Sequence, residues 1–360
     1  MDYQYSIRIQ KIEAQLDKWL PEKPDAFWAS QVFGALEKVP GAENLAPLAL
    51  PCRDLLSRGG KRWRPLLMTL VCEALGGGDA ALPLAPLVEF SHNASLIHDD
   101  IEDNSVERRG RPAVHLLYGV DAAINSGSFL YFLPLSCIEP WAAGIPAADT
   151  AKLQVYALWG EYMRRLHLGQ AMDIAWHRDT RCVPEVGQYL AMCALKTGCL
   201  ARFAAVLGTC AAAMVSTGAA VRTAALSDSL GNAAEKLGVG FQILDDVKNL
   251  RGSIPGKQRG DDVVEGKKSL PILLYLHRYP EQQEFVFRCF AGARKNGTAA
   301  REVEGLIHAL TGAGILDEAE QQGLALIGEA RKIFEQPAIG SFPLHEESRT
   351  LLTGLTKLIS

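Results

Sequence analysis

One short segment combines acidic and basic side chains at a spacing that could bind a metal ion and a phosphate. It contains four acids followed closely by two arginines: Asp99, Asp100, Glu102, Asp103, Arg108 and Arg109. The apolar residues before it predict a helix, on which Asp99 and Asp103 share one face. Like charges at this spacing destabilise a helix, so we expect a cation beside them. One interpretation is a Mg²⁺ site, because Mg²⁺ binds one or two carboxylates plus substrate phosphates. The alternative is a solvated helix end whose acids pair with the arginines, and this segment alone does not decide between the two.

A second acidic pair follows another apolar stretch, in the segment GVGFQILDDVKNLRG. Gln242 lies one turn before Asp245 and Asp246, and Asn249 lies one turn after them. Both acidic motifs are therefore predicted at the C-terminal ends of apolar helices, where the helix dipole disfavours an anion. Because this placement is poor for stability, it favours a functional role. We expect the two helix ends to face each other across the mouth of a cavity and to share metal ions.

Basic residues recur beside glycine turns and beside the acidic motifs. They are Arg58, Lys61, Arg62 and Arg64 in RGGKRWRP, Lys196 before Thr197 in ALKTG, and Lys257, Lys267 and Lys268 after the second acidic motif. Arginine forks and lysine ammonium groups both bind phosphate oxygens. Each one alone is typical of a solvated surface charge, but their repeated placement predicts a diphosphate site. The sequence contains no GxxxxGKS or GxxxxGKT, which excludes a P-loop.

The elements that must position these residues are all predicted to be helices. Apolar residues recur at helical spacing from end to end, and no segment shows the sustained alternation of a strand. Short segments rich in glycine and proline separate the helices, which are predicted at 5–20, 63–75, 84–103, 121–140, 149–175, 185–215, 222–250, 268–278, 282–294, 299–311 and 316–334. With no repeat and no break in composition, we expect one all-α domain over residues 1–360, a bundle of ten or more helices.

Composition narrows the class of protein. Of the 360 residues, 48% are hydrophobic, enough for a large buried core, and a net charge of −4 argues against nucleic-acid binding through bulk charge. The eight cysteines form no CxxC pair, so we expect free buried thiols in a reducing compartment. The N-terminus shows no apolar run of signal length. The uncharged stretch 203–221 could cross a membrane by length, but its content of small residues favours a buried helix, and we expect a cytoplasmic protein.

Seven motifs, in the same order, resemble those of the trans-isoprenyl diphosphate synthases, and most of all the eukaryotic-type geranylgeranyl diphosphate synthases. They are GGKRWRP, HNASLIHDDIEDNSVERRGRPAVH, YGVDAAINSGSFLYF, LHLGQAMDIAW, ALKTG, FQILDDVKNL and DDVVEGKKSLP, roughly within residues 56–278. The resemblance implies the isoprenoid synthase type I fold, with helices around a central apolar cavity. It also implies a homodimer without a membrane span, and Mg²⁺ as cofactor, with three ions per site when substrate is bound.

The resemblance assigns roles to individual residues. The acidic motifs match metal ligands at Asp99, Asp100, Asp103, Asp245, Asp246 and Asn249. Arg108 matches a residue on the allylic diphosphate, and the isopentenyl diphosphate site corresponds to Lys61, Arg64, His92 and Arg109. The leaving diphosphate corresponds to Lys196, Lys257 and Lys267, and the carbocation region to Thr197 and Gln242. The second acidic motif of the family usually reads DDxxD, but its last position in this chain is Asn249. An uncharged amide at this position implies weaker metal binding. The eukaryotic-type geranylgeranyl diphosphate synthases look similar here, so the change points to that subgroup of the family more than to lost activity.

The implied reaction is a head-to-tail condensation. An allylic diphosphate (dimethylallyl, geranyl or farnesyl) ionises, isopentenyl diphosphate attacks the allylic cation, and a proton passes to the released diphosphate. The developing charge is stabilised by metal ions and lysines, and the catalytic residues implied are Asp99, Asp100, Asp103, Lys196, Asp245 and Lys257. No protein nucleophile is needed, so the histidines and cysteines receive no catalytic role apart from His92 as a phosphate donor.

Product length is predicted from the residues that would line the tail channel. Ala94 and Ser95 lie one turn before the first acidic motif and are small, so no aromatic side chain closes the channel there. By resemblance Tyr131, Phe132 and His167 form a deeper floor, which favours the twenty-carbon geranylgeranyl diphosphate; ordinary core packing is the alternative. A longer polyprenyl product, a class I terpene cyclase and a non-catalytic synthase subunit are the other interpretations. A cyclase would not need the isopentenyl diphosphate motifs GGKRWRP and ERRGRP.

Overall fold

The structure is a computed structural model, and it describes residues 3–145, 147–179, 181–215, 223–252 and 259–359. Within these ranges the chain is helical apart from turns, loops and two hairpins of two-residue strands. The predicted all-α class is therefore confirmed, as is the expectation of ten or more helices.

The helices run in chain order from the first described residues to the last. They are α1 (Tyr3–Trp19), α2 (Ala26–Phe33), α3 (Ala42–Ser57), α4 (Trp63–Ala74), α5 (Ala85–Glu102), α6 (Val114–Tyr118), α7 (Val120–Phe132), α8 (Ile138–Ala142), α9 (Ala148–Arg178), α10 (Val186–Cys193), α11 (Cys199–Val215), α12 (Thr223–Arg251), α13 (Asp261–Glu265), α14 (Leu270–Arg278), α15 (Gln283–Asn296), α16 (Arg301–Gly312), α17 (Ile315–Phe334) and α18 (Glu346–Ile359). Short 3₁₀ segments occupy Gly78–Leu84, Leu133–Cys137 and Pro280–Gln282, and a π-helical turn occupies Ala194–Gly198. Strand β1 (Glu107–Arg108) pairs with β2 (Arg111–Pro112), and β3 (Ala338–Ile339) with β4 (Phe342–Pro343), both antiparallel.

The chain divides into two compact units, which we describe separately. Unit 1 comprises Met1–Met163, Arg202–Gly231 and Ile333–Leu355. Its helix α5 packs against α1, α3, α4 and α7 and buries one apolar face. Contact with α7 is closest at Gly127, where a Cβ would lie 2.8 Å from the His98 ring. This contact fixes the direction of α5, and with it the position of the acids at its C-terminal end.

Unit 2 comprises Arg164–Ala201, Asn232–Lys332 and Thr356–Ser360. Its apolar core is contributed by α10, α12, α14, α15, α16 and α17, with fully or almost fully buried residues such as Tyr189, Ile243, Leu273, Phe290, Leu306 and Ile315. Helices α12 and α17 approach backbone to backbone at Gly240, where a Cβ would lie 2.6 Å from the Gly323 carbonyl oxygen. The second acidic motif is carried by α12, so this core holds it in place.

Several predicted helices differ from the observed ones. The prediction of one helix over 121–140 is wrong, because α7 ends at Phe132 and a 3₁₀ segment containing Pro134 precedes α8; proline has no N–H to continue an α-helix. The predicted helix 185–215 is continuous but contains the π-helical turn. Helix α3 was not predicted, because Pro47 and Pro51 lie inside it and proline normally ends a helix.

The cysteines and the long apolar helix behave as predicted. All eight cysteines are free thiols, and seven of them are buried. The stretch Val186–Val215 is long and apolar enough to cross a membrane, but 78% of its apolar window is buried inside the protein. The buried-helix interpretation is thus confirmed for 203–215; residues 216–221 lie outside the described residues.

Candidate active site

The first acidic motif lies in the last turn of α5, as predicted. Helix α5 ends at Glu102, and the Asp103 N–H donates to the Asp99 carbonyl at 2.9 Å. Asp99 and Asp103 are half-buried, whereas Asp100 is fully buried. The three aspartates therefore differ in how easily a ligand can reach them.

Asp100 forms an internal ion pair with Arg108. Its Oδ1 accepts hydrogen bonds from Arg108 Nε at 2.8 Å and from Nη2 at 2.5 Å, while Arg108 also lies 3.5 Å from Asp99. Burial raises the pKa of the Asp100 carboxyl, and the charge of Arg108 opposes that rise. Sequence reasoning assigned Asp100 to a metal and Arg108 to a diphosphate, but in the structure the two residues bind each other.

The β1–β2 hairpin presents Arg108 and Arg109. Arg109 and Gly110 form its turn with φ of +53° and +74°, the left-handed pair that suits a two-residue hairpin. Arg58 fixes the hairpin to α3, because its guanidinium donates to the Arg108 carbonyl at 2.9 Å and to Asp54 at 2.6 Å. Arg58 thus has a structural partner on each side.

Arg109 points inward, toward the loop between α3 and α4. Its Nη1 donates to the Gly59 carbonyl at 2.5 Å and to Asn93 Oδ1 at 3.3 Å. A Cβ on Gly60 would lie 3.3 Å from the Arg109 guanidinium, so the glycine turn allows the close approach. Burial lowers the pKa of Arg109 to about 10, with Arg62 and further arginines adding to the effect.

His92 and Arg64 form a second contact of the basic group. Arg64 Nη1 lies 3.3 Å from His92 Nε2, and the Arg64 guanidinium stacks over the Trp63 ring at 4.4 Å. Burial and the neighbouring arginines hold the pKa of His92 well below its usual value of 6.5. His92 is therefore neutral at pH 7 and can donate one N–H. Lys61 is exposed at the start of α4.

Arg62 does not belong to the phosphate-binding cations. It is 4% exposed and lies in an internal ion-pair cluster with Glu13 at 2.7 Å and Glu89 at 2.9 Å. It also donates to the Leu56 and Gly59 carbonyls. With φ of +48° at Arg62, the backbone turns this side chain inward, which sequence reasoning could not foresee.

The second acidic motif lies near the C-terminal end of α12. The helix continues to Arg251, five residues past Asp246, in agreement with the helix predicted at 222–250. Asp246 is 5% exposed, and its Oδ2 accepts from the Tyr189 hydroxyl at 2.6 Å while its Oδ1 accepts from Gln242 Nε2 at 2.8 Å. Burial, together with the charge of Asp262, raises the pKa of Asp246 to about 7. Asp245 is half-buried.

Lys196 and Thr197 lie in the π-helical turn of unit 2. The Thr197 hydroxyl donates to Gln242 Oε1 at 2.8 Å, and Lys196 Nζ lies 2.6 Å from Asp173 Oδ2. Helix α9 approaches this turn at Gly169, where a Cβ would lie only 2.4 Å from the Lys196 backbone nitrogen. Such π-helical turns often mark functional sites.

Asn249 and the lysines that follow it organise the segment around α13. Asn249 is 1% exposed, and its Oδ1 accepts the Asp262 backbone N–H at 3.3 Å. Its amide oxygen thus already accepts one hydrogen bond, and its assignment as a metal ligand stays a prediction. Lys267 lies 3.7 Å from Asp262 Oδ1 and 2.5 Å from Glu265. Lys257, predicted to grip the leaving diphosphate, lies outside the described residues.

The residues predicted to set product length are separated by the structure. Ala94 is fully buried, Ser95 Oγ donates to the His92 carbonyl at 2.7 Å, and the Tyr131 ring stacks on His98 at 5.7 Å. Phe132 is 61% exposed and His167 is also exposed. Neither of these two side chains is buried within the single chain, and the predicted floor of Tyr131, Phe132 and His167 stays a prediction. Tyr131 faces inward and Phe132 faces outward.

Sequence reasoning missed the three acids, the amide and the tyrosine that pair with the basic and acidic residues of the motifs. They are Glu89 and Asn93 in unit 1, and Asp173, Tyr189 and Asp262 in unit 2. Asp173 and Asp262 stand inside the quoted motifs LHLGQAMDIAW and DDVVEGKKSLP, where an acid near lysines was an available signal. Tyr189 gives no such signal, since only the fold brings it to Asp246.

The donor chemistry of both acidic motifs fits a hard divalent cation. Asp99, Asp103 and Asp245 offer carboxylate oxygens, and the buried Asp100 Oδ2 has no hydrogen-bond partner among the described residues. In the part of the chain that the structure describes, no three His, Cys, Asp or Glu side chains form a metal cage. Mg²⁺ does not require one, because it takes one or two carboxylates and completes its shell with water and substrate phosphates.

Comparison with known proteins identifies the family. The family model of polyprenyl synthetases matches residues 46–308. A geranylfarnesyl diphosphate synthase from Aeropyrum pernix is 32% identical over 314 residues, 85% of this chain and 91% of the relative. A geranylgeranyl pyrophosphate synthase from Eremothecium gossypii is 36% identical over 231 residues, 63% of this chain and 68% of the relative. A crystal structure of a geranylgeranyl pyrophosphate synthase has a TM-score of 0.79 at 24% identity, covering 100% of this chain and 98% of that one, a likeness of fold.

The range 46–308 that the family model matches includes both acidic motifs and the basic groups around them. The chain belongs to the polyprenyl synthetase family, and it is therefore a transferase of the prenyltransferase class. The family uses Mg²⁺, in agreement with the donor chemistry above.

Proposed function

We propose that the protein condenses isopentenyl diphosphate with an allylic diphosphate, head to tail, to give geranylgeranyl diphosphate. The observation that carries the proposal is the family match over residues 46–308, which includes Asp99, Asp100 and Asp103 of the first motif, Asp245 and Asp246 of the second, and the basic residues of both predicted diphosphate sites. The relatives named geranylgeranyl pyrophosphate synthases support the twenty-carbon product.

The metal would be held by the accessible carboxylates. Asp99 and Asp103 in the first motif and Asp245 in the second are the ligands we propose, with three Mg²⁺ ions bound when substrate is present. When bound, Mg²⁺ neutralises the diphosphate and stabilises it as a leaving group. We leave Asn249 out of this set because its amide oxygen already accepts a hydrogen bond. Asp100 would act mainly by holding Arg108.

The protein's own cations would bind the two diphosphates. Lys196 and Lys267 are proposed on the leaving diphosphate, each already placed beside an acid that limits its side-chain freedom. For isopentenyl diphosphate we propose Lys61, Arg64 and His92 as donors. Because His92 is neutral, it would donate an N–H without adding charge. Arg109 would contribute positive potential from its buried position.

The condensation itself would take place beside Thr197 and Gln242. Their oxygens carry partial negative charge and would stabilise an allylic cation without attacking it as nucleophiles. Exclusion of water protects such a cation from hydrolysis, and the released diphosphate would accept the proton that leaves after the new bond forms.

A longer product is the second candidate. Ala94 is buried and small, so no aromatic side chain closes the channel at that position. Just as the geranylgeranyl relatives support a twenty-carbon product, the similarity to a geranylfarnesyl diphosphate synthase supports a twenty-five-carbon product.

The assembly and location are also proposals. We propose a cytoplasmic homodimer, and apolar side chains exposed on α6 and α7 support an interface there: Leu116, Leu117, Val120, Ile124 and Phe132. Sedimentation of the purified protein tests the assembly, and a monomer at micromolar concentration would contradict it.

A product assay tests the proposed function directly. Purified protein is incubated with Mg²⁺, labelled isopentenyl diphosphate and the allylic primer of five, ten or fifteen carbons, and the chain length of the product is measured. A dominant twenty-carbon diphosphate supports the proposal. Longer chains retain the enzyme class and reject the product, whereas no condensation with any primer favours a terpene cyclase or a non-catalytic subunit.

A further inference from the structure

Four side chains of unit 2 form a continuous series of hydrogen bonds. The Tyr189 hydroxyl donates to Asp246 Oδ2 at 2.6 Å, Gln242 Nε2 donates to Asp246 Oδ1 at 2.8 Å, and the Thr197 hydroxyl donates to Gln242 Oε1 at 2.8 Å. The bonds connect α10, the π-helical turn and α12. We call these four residues the Tyr189 relay.

The relay has a direction that follows from donor and acceptor chemistry. When Asp246 is ionised, both of its oxygens accept hydrogen bonds, so the nitrogen end of the Gln242 amide must face Asp246 and its oxygen end must face Thr197. The Thr197 hydrogen is then used toward Gln242. As a result, the Gln242 amide oxygen and the Thr197 hydroxyl oxygen lie next to each other, and the Gln242 amide nitrogen lies at the other end of the amide, toward Asp246.

Burial holds the relay in place at the end formed by Tyr189 and Asp246. Tyr189 is 1% exposed and belongs to the apolar core of unit 2, and Asp246 is 5% exposed. Gln242 is half-buried and Thr197 is 9% exposed. A buried polar group that loses its partner is costly, so the buried pair fixes the orientation of the two more accessible side chains.

We propose that Tyr189 and Asp246 are positioning residues, which orient the Gln242 amide and the Thr197 hydroxyl for the stabilisation of an allylic cation. The proposal rests on the proposed function, in which Thr197 and Gln242 lie beside that cation. It also reassigns Asp246: since this side chain is buried and each of its oxygens accepts a hydrogen bond, the more accessible Asp245 is the metal ligand that we propose for this motif. An end-for-end turn of Gln242 would direct N–H groups, with their partial positive charge, toward Thr197 and the cation.

Two variants test the relay in the full-length protein. Tyr189→Phe removes one donor to Asp246 and keeps the ring. Asp246→Asn keeps the shape, but its amide offers one oxygen in place of two, so it can accept from only one of Tyr189 and Gln242 and the orientation of the Gln242 amide is no longer fixed. We expect kcat to fall by about 10- to 100-fold in both, the range for groups that orient site residues, with KM for isopentenyl diphosphate and the half-saturating Mg²⁺ concentration within twofold of wild type. The matched control is Tyr275→Phe, a buried tyrosine of the same core whose hydroxyl makes no hydrogen bond among the described residues.

The outcomes separate positioning from the other roles. Wild-type kcat in Tyr189→Phe overturns the proposal, as does a tenfold or larger rise in half-saturating Mg²⁺ in Asp246→Asn, which would make Asp246 a ligand. A fall of kcat in Tyr275→Phe as large as that in Tyr189→Phe would also overturn it, because core packing would then explain both.

A stability cycle needs no substrate, so it distinguishes a failed relay from a failed proposed function. Tyr189→Phe and Gln242→Met each remove a donor to Asp246. If the relay exists, their shifts in Tm are not additive in the double variant, because the two residues share one partner. Additive shifts overturn the relay whether or not the wild type forms a product. Absence of product from the wild type with coupled shifts overturns the role in cation stabilisation and the proposed function together.

Discussion

Gly169→Ala is a substitution whose effect can be worked out from the structure. A Cβ on Gly169 would lie 2.4 Å from the Lys196 backbone nitrogen and 2.7 Å from the Leu195 carbonyl carbon. Both atoms belong to the backbone of the π-helical turn, so no side chain can rotate away. Because carbon atoms in contact prefer about 3.5–4.0 Å, helix α9 and the turn must move apart by roughly 1 Å.

The cost can be isolated with a second glycine of the same unit. Overpacking of this kind costs about 1–3 kcal/mol, while replacing a helical glycine by alanine returns about 1 kcal/mol. Gly305 lies in α16, is exposed, and has nothing within 4 Å of a Cβ placed on it. Gly305→Ala therefore has the gain in helix propensity without the clash. The difference in free energy of unfolding between the two variants should be about 1–3 kcal/mol, with Gly169→Ala the less stable.

The assay is urea unfolding of both variants, followed by single-turnover kinetics. Lys196 and Thr197 move with the turn, and a misplacement of about 1 Å can cost on the order of 100-fold in rate. We expect Gly169→Ala to lose rate and Gly305→Ala to keep it. Equal free energies of unfolding for the two variants would refute the close contact. A normal rate in a destabilised Gly169→Ala would refute the coupling of that contact to the site.

Three further perturbations test other parts of the site. Asp99→Ala should abolish condensation with every allylic primer, whereas Glu102→Ala, in the same helical turn, should retain it. A near-normal rate in Asp99→Ala would contradict the assignment of Asp99 as a Mg²⁺ ligand. By chain-length analysis, Ala94→Phe should shorten the product and Phe132→Ala should lengthen it. An unchanged length in Ala94→Phe would mean that the channel runs elsewhere, and an unchanged length in Phe132→Ala would remove Phe132 from the predicted floor. Burial raises the pKa of Asp246 from 3.8 to about 7, so its ionisation destabilises the fold progressively as pH rises from about 4 to about 7, by up to about 4 kcal/mol at 1.36 kcal/mol per pKa unit. Asp246→Asn removes this penalty, and in EDTA its stability relative to wild type should grow between pH 5 and pH 8; a difference that is constant with pH contradicts the raised pKa.

The helices that sequence reasoning predicted best are those whose apolar face is continuous. Helix α4 was predicted at 63–75 and observed at Trp63–Ala74, and α5 was predicted at 84–103 and observed at Ala85–Glu102. Helical periodicity is a strong signal in such segments. It fails at α3, where internal prolines mimic a loop, and at the end of α7, where the apolar pattern continues through a 3₁₀ segment.

The sequence predicts which residue types form the site, but it does not predict which side chains pair with each other. The motif GGKRWRP places three cations within four positions, and nothing in their order distinguishes the exposed Lys61 from the internally paired Arg62. Likewise, adjacent aspartates in each acidic motif look equivalent, although Asp100 and Asp246 are the buried members. The partner of a buried charge comes from another part of the chain, so its identity depends on the folded packing.

The glycine contacts of unit 2 and the hydrogen bond between Thr197 and Gln242 are parts of one arrangement. A Cβ on Gly238 would lie 2.8 Å from the Gly198 Cα, so α12 meets the π-helical turn backbone to backbone at that point. Gln242 follows Gly238 by four residues and therefore projects from the same face of α12, next to Thr197, the residue before Gly198. Any side chain at either glycine would separate α12 from the turn and lengthen the 2.8 Å bond. The same contact that packs the core thus sets the distance between the two groups that we propose beside the cation.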